Sequence, residues 1–145
     1  MRQTSSQTSS AAINLSAIAA GSGVRDLLTA LAEHNIGAVV VSSDGLSIEG
    51  IVSERDVVRH LHHDGTVVNN TVGAIMTPAA EVATCSPDDD LDAVLAVMTD
   101  RRIRHLPVVG DTGLVGIVSI GDLVKAKIDQ LQFERDQLDA YVTQG

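Results

Sequence analysis

Gly50-Ile51-Val52-Ser53-Glu54-Arg55-Asp56 is spelled a second time as Gly116-Ile117-Val118-Ser119-Ile120-Gly121-Asp122. In each copy a turn glycine and a β-branched pair lead to a serine, with an aspartate three residues on. That is the pattern of a strand that ends where a helix begins. Counted from Ser53 to Ser119, the copies stand 66 residues apart. Upstream, Val24, Leu27, Leu28 and Leu31 are answered 67 positions later by Leu91, Val94, Leu95 and Met98, so one helical stripe occurs twice. The difference in offset is one residue of loop near Asp44 to Ile48, where Asp44-Gly45 and Asp111 to Gly113 mark turns. Each repeat reads strand, helix, strand, turn, strand, short helix. Duplicated once, the unit makes a pseudo-symmetric pair and not a solenoid.

A chain of 145 residues is one compact domain, or two small repeats sharing a core. With 44% hydrophobic residues but one Tyr, one Phe and no Trp, that core is aliphatic. No apolar run approaches the ~18 residues of a membrane span. The net charge of −9 argues against nucleic acid, whose phosphates it would repel. A single cysteine forms no internal disulfide and fits a reducing compartment, so the expected location is cytoplasmic.

Residues 1–12 are polar and are expected to be a disordered lead-in. Ala11 to Ala20 is too weakly apolar for a secretory signal. The repeat offset lays Leu15 to Ala20 over Val82 to Pro87 and makes it the first strand of repeat one. A helix from Val24 to about His34 ends at Asn35, and Ile36 to Val41 follows as a strand apolar on both faces. Ile48 to Ser53 pairs back as a hairpin, and Asp56 to about His63 is a short helix with Val57, Val58 and Leu61 inward. Met76-Thr77-Pro78 is a break. The second helix runs to about Asp100, after which Ile103 to Val109 repeats the Ile36 strand with Pro107 in place of Val40. Proline removes a ladder donor, so this strand lies at an edge or bends away from pairing. From Leu123 to about Tyr141 a single helix carries Val124, Ile128, Leu131 and Leu138 as a narrow stripe, a surface for another subunit. The expected division is repeat one over 13–71, repeat two over 72–128 and a helical extension over 129–145, in an α+β fold.

Ser-x-x-Asp before an apolar helix is first of all a capping box, and that bland reading explains either copy alone. Both copies, however, end the same strand and turn a helix N-terminus toward the space between the repeats, where a hydroxyl and free N–H groups suit phosphate. The aspartate is suited to accept from a ribose diol. Arg101, Arg102, Arg104 and His105 concentrate positive charge in an acidic chain. Arg101 is explained by a helix C-terminus, whereas Arg104, read as lying inside the strand opposite Gly37, calls for an anion. His60, His62 and His63 lack a second ligand cluster, so no metal is expected. Cys85 has no base at a motif spacing. No nucleophile elbow, P-loop or Gly-x-Gly-x-x-Gly is present. The chain offers a site for binding without visible machinery for turnover.

The paired Gly-Ile-Val-Ser-x-x-Asp motifs, Ile36-Gly37-Ala38, Ile75-Met76-Thr77-Pro78 and Arg102-Ile103-Arg104-His105-Leu106-Pro107-Val108 together resemble a tandem cystathionine-β-synthase-type domain pair, the Bateman module, over about residues 13 to 128. The ending resembles a subgroup of stand-alone pairs that carry a C-terminal helix. The resemblance implies two β-α-β-β-α units packed by pseudo-twofold symmetry, with two clefts for adenosyl ligands. By position it places Thr84, Pro87, Arg104, His105, Leu106, Pro107, Ser119, Gly121 and Asp122 in one cleft. It places Ala17, Ile36, Gly37, Ala38, Ser53, Arg55 and Asp56 in the other. Ala17 and Ala20 stand where repeat two has Thr84 and Pro87, so the second cleft is expected to bind more tightly.

The leading expectation is a non-enzymatic, homodimeric sensor of adenine nucleotides. AMP is the first candidate ligand, with ATP, ADP, NADH and S-adenosylmethionine beside it, and a protein partner reads the signal. No catalytic cofactor, nucleic acid or membrane is expected. The alternative is a ligand-free homodimeric adaptor in which the Ser-x-x-Asp motifs are only caps. A fragment of a nucleotide-biosynthetic enzyme is a third reading, without a catalytic constellation to support it.

Overall fold

The computed structural model describes residues 7–11, 13 and 16–144. In chain order it contains β1 (Ala17–Ile18), α1 (Val24–His34), β2 (Ala38–Val41), β3 (Gly50–Ser53), α2 (Glu54–His63) and α3 (Val72–Ile75). It continues with β4 (Thr77–Pro78), α4 (Leu91–Arg101), β5 (His105–Gly110), β6 (Gly113–Ser119) and α5 (Ile120–Gln144). The architecture is α+β, two repeats with a long C-terminal helix.

α1 and α4 have equal lengths because their start and stop signals recur at the same offset. Gly23 and Asp90 are the N-caps, and Asp90 Oδ2 accepts from the Ala93 N–H at 3.3 Å. Asn35 and Arg102 are the C-caps, both left-handed, with φ of 51° and 56°. Asparagine tolerates that conformation, whereas arginine bears a steric penalty. Val24, Leu27 and Leu31 enter one core, and Leu91, Val94 and Met98 enter another. β2 is buried along its whole length because it divides its side chains. Val39 and Val41 join the core of repeat one, while Ala38 and Val40 meet Ile117 in a small cluster that joins the repeats.

The first sheet has the order β1-β2-β3-β4, and its last strand comes from the run-up to repeat two. Gly50 allows that approach. A Cβ there would strike the Thr77 carbonyl oxygen and lie 2.8 Å from Met76 Sδ. The first glycine of the signature therefore serves a close strand contact and not, as the sequence suggests, a turn.

The exchange is reciprocal. Val72 N–H donates to Ser22 O at 2.8 Å and Gly73 N–H to Ala20 O at 2.9 Å. On the other repeat, Thr8 N–H donates to Asp89 O at 2.8 Å and Ser9 N–H to Pro87 O at 2.9 Å. The acceptors are equivalent at the offset of 67, so the segment leading into each repeat docks on its neighbour. Thr8 and Ala11 are buried as Val72 and Ile75 are. At residues 7–11 this departs from the expectation of a disordered lead-in. Residues 8–10 form a 3₁₀ turn held by backbone bonds that composition does not register. Residues 1–6 and 12 lie outside the described residues.

Pro107 pairs with Ile117 of β6, and on its other flank β5 has one bridge, Cys85 to Val108. Repeat one has two pairs at that place, Ala17 with Val40 and Ile18 with Val41. The donor that proline lacks accounts for the missing pair, as the edge reading predicts. On α2 only Val57 of the three apolar residues is buried. Val58 and Leu61 are exposed, which corrects their inward reading. Leu123 and Ala126 of α5 belong to the repeat-two core, whereas Val124, Ile128, Leu131 and Leu138 are exposed.

Candidate functional site

β3 runs directly into α2, and Ser53 at the joint keeps an extended backbone with φ of −130°. Its Oγ accepts from the Asp56 N–H at 3.3 Å, while Asp56 Oδ2 accepts from the Ser53 N–H at 2.8 Å and Oγ at 3.2 Å. This is a complete capping box. The second copy is related: Ser119 Oγ accepts from the Asp122 N–H at 3.1 Å and donates to Asp122 Oδ2 at 2.8 Å. Both motifs are thus caps, as the bland reading holds. In each, one carboxylate oxygen serves the cap. Asp56 is buried, and its Oδ1 makes no hydrogen bond to a described residue.

A cavity of about 600 Å³ opens beside the first cap, a size suited to a small molecule. One wall is repeat one: Gly37 and Ala38, Ile51, and Ser53 through Asp56 with Arg59. The other is repeat two: Thr77, Glu81 to Ala83, and Arg101 with Ile103 to His105. Gly37, Ala38, Ser53, Arg55, Asp56, Arg104 and His105 are therefore brought together. Ile36, Thr84, Pro87, Leu106, Pro107, Ser119, Gly121 and Asp122 do not line this cavity. Leu106 is in the core of repeat two and Thr84 is exposed. In this cavity the signature of repeat one faces the strand entry of repeat two, so its walls combine residues that the resemblance assigns to separate clefts. The repeat offset identifies equivalent residues, and equivalent residues lie on opposite sides of a pseudo-dyad rather than together.

The N-terminus of α2 opens into the cavity. The Glu54 N–H goes to Gly37 O at 3.0 Å and the Asp56 N–H to Ser53 Oγ, which leaves the Arg55 amide without a partner among the described residues. That amide and the helix dipole favour an anion. Arg55 reaches across the cleft, and its Nη1 donates to Arg102 O at 3.5 Å. Gly37 touches repeat two as well. A Cβ there would lie 3.1 Å from His105 Cε1 and 3.2 Å from Glu54 Oε1. Burial pushes the His105 pKa below its usual value, opposed by Glu54 and Asp122 and aided by Arg104. The ring consequently holds its proton more weakly than a free imidazole does.

Arg104 is exposed just before β5, so the argument that it must be paired because it is buried does not hold. It does line the cavity with Arg55, Arg59 and Arg101. Arg59 is not singled out in the sequence, and Arg101 reads there only as a helix-end cation. The first was signalled by its spacing of four from Arg55, and the second is more than a helix-end cation. Among the described residues no group of three His, Cys, Asp or Glu side chains is placed to hold a metal. Cys85 is buried, and burial followed by the Asp89 charge pushes its thiol up to about 11. Such a thiol is inert.

A family profile for the CBS domain matches residues 14–63 and 72–129. Over 125 residues the chain is 38% identical to the CBS domain-containing protein CBSX3, mitochondrial, of Arabidopsis thaliana, covering 84% of this chain and 61% of that protein. The chain thus spans less than two thirds of this relative. Among solved structures, the CBS-domain containing protein ATU1752 from Agrobacterium tumefaciens has a TM-score of 0.73 at 33% identity, over 79% of this chain and 85% of its own. At 23% identity the fold is shared with CBSX2 in complex with AMP, TM-score 0.72, over 87% of this chain and 98% of that one. It is shared equally with the CBS domain pair of MJ0100 in complex with 5′-methylthioadenosine and S-adenosyl-L-methionine, TM-score 0.72, over 88% and 99%. With both repeats matched, and an exchanged strand and a shared cavity between them, the chain belongs to the CBS-domain family as a tandem pair.

Proposed function

We propose that this chain is a non-catalytic regulatory module that binds an adenine nucleotide between its repeats and passes its occupancy to a partner protein. The observation that carries this reading is the cavity in which a buried aspartate, with one oxygen uncommitted, stands beside a helix N-terminus and arginines from both repeats. Asp56 Oδ1 accepts from the ribose diol, the Arg55 amide and the arginines meet phosphate, and the Ile51 and Ala38 side holds the base. Adenosyl ligands in solved members of the fold support the ligand class. A ligand touching both walls favours one relative angle of the repeats, and that bias is the signal. The module acts in the cytoplasm as a homodimer through the exposed apolar residues of α5.

The test is a thermal-shift series with AMP, ADP, ATP, NADH and S-adenosylmethionine on the wild type and on Asp56→Ala. Ligand at one hundred times its dissociation constant adds about 2.7 kcal/mol to the folded state. The variant loses the cap, about 1 kcal/mol, and also loses the ligand response. A ligand response unchanged in the variant overturns the assignment of Asp56. The second reading, a ligand-free adaptor, is favoured by the caps that both motifs form, and the absence of any nucleotide response at millimolar concentration would select it.

A further inference from the structure

We infer that the ligand of this cavity carries two or more phosphates, and that its phosphate chain is shared between Arg55 and Arg59 on one wall and Arg101 and Arg104 on the other. This rests on the adenosyl-ligand reading above and narrows it to adenosyl ligands that carry a chain of two or more phosphates. The chain has 10 Lys and Arg residues against 19 Asp and Glu. Four of those 10 line one cavity, two from each repeat. In an acidic protein, cations distributed by chance find carboxylates. The ion pairs among described residues instead join Lys125 to Asp129, Lys127 to Asp92 and Arg135 to Asp136, and none uses a cavity arginine. Of the three acids in the cavity, Asp56 is held by the cap, Glu54 lies beside His105, and Glu81 forms no ion pair with an arginine among the described residues.

Guanidinium groups kept together without carboxylate partners repel one another, and an arrangement of this kind is stabilised when a multivalent anion arrives. A neutral ligand such as 5′-methylthioadenosine leaves that repulsion in place, and a sulfonium ligand adds to it. A single phosphate brings about two negative charges to the four guanidinium groups, and each further phosphate adds to that charge. A chain of two or three phosphates spans the cleft, whose walls are already within one arginine's reach in the contact of Arg55 with Arg102 O. Because each wall supplies two arginines, the same contacts that select the ligand draw the repeats together.

Isothermal titration of the full chain with adenosine, 5′-methylthioadenosine, S-adenosylmethionine, AMP, ADP, ATP and inorganic tripolyphosphate tests this. The wild type, Arg59→Gln and Arg101→Gln are compared, with folding verified by circular dichroism. Affinity should rise at least tenfold from AMP to ATP and weaken with salt. Each glutamine variant should lose most of that gain while binding adenosine as before. Equal or tighter binding of adenosine, 5′-methylthioadenosine or S-adenosylmethionine, or ATP binding untouched in both variants, overturns the inference. Tripolyphosphate binding as tightly as ATP, with no response to adenosine, keeps the arginine site but removes the adenosyl reading beneath it. Silence from every compound removes both.

Discussion

His105 shows at the scale of one residue how packing of the repeats fixes a protonation state. The ring lies against Gly37 and Glu54 of the other repeat, and burial lowers its pKa despite two carboxylates nearby. Since the folded chain holds this proton more weakly than the unfolded chain does, acid favours unfolding. The stabilising contribution is complete above the ordinary histidine value of 6.5 and is lost as pH falls below it. Denaturation midpoints measured between about pH 7.5 and about pH 5.5 should therefore fall with acid, and fall less in His105→Gln. A variant with the wild-type slope would assign the effect to the remaining histidines. The sequence makes His105 noticeable as a member of a basic run, yet says nothing of its neighbours, because Gly37 and Glu54 reach it only through the pseudo-dyad. Pro107 is the opposite case. A missing N–H is a property of the residue alone, so its consequence, a strand with a single bridge on one flank, is legible without a fold.

Among the elements, the exchanged segments account for most of what the sequence did not disclose. Apolar periodicity locates α1 and α4 and the buried β2 because each has a face to bury. β4 and the 3₁₀ turn at Thr8–Ser10 are too short for a period, and backbone hydrogen bonds to the opposite repeat hold them. Glycine is the trace they leave. Gly50→Ala places a methyl against the Thr77 carbonyl, which is backbone and has nowhere to retreat while β4 stays paired. The expected loss is about 1–3 kcal/mol, as for overpacked positions. Urea denaturation measures it, and hydrogen exchange should place the loosened amides around Ile51 and Ala79. Stability within about 0.5 kcal/mol of wild type would mean that β4 can shift without penalty.

For the whole molecule, the unequal endings of the two repeats matter more than their likeness. α2 stops at His63, but α5 runs 25 residues, well past the last of its buried positions. Along it Val124, Ile128, Leu131, Leu138 and Val142 are exposed at spacings of four, three, seven and four, which is a heptad seam with Arg135 in the middle. Ile128 and Val142 stand with Arg135 at one set of seam positions, and Val124, Leu131 and Leu138 at the other. β-Branched residues at the first and leucine at the second favour pairing of two helices, and the central arginine limits how many chains can share the seam. A second copy of the same helix meets these requirements. The double variant Leu131→Glu, Leu138→Glu puts carboxylates at two successive leucine positions of the seam while leaving Leu123 and Ala126 in the core. Sedimentation at micromolar protein should give a dimer for the wild type and a monomer for the variant, with nucleotide binding retained because the cavity contains no residue of α5. A wild type that sediments as a monomer would leave α5 without a second copy and refute the dimer. A variant that stays dimeric would move the contact to the exposed Val58 and Leu61 of α2, and dimer formation would then engage the same helix that opens into the cavity.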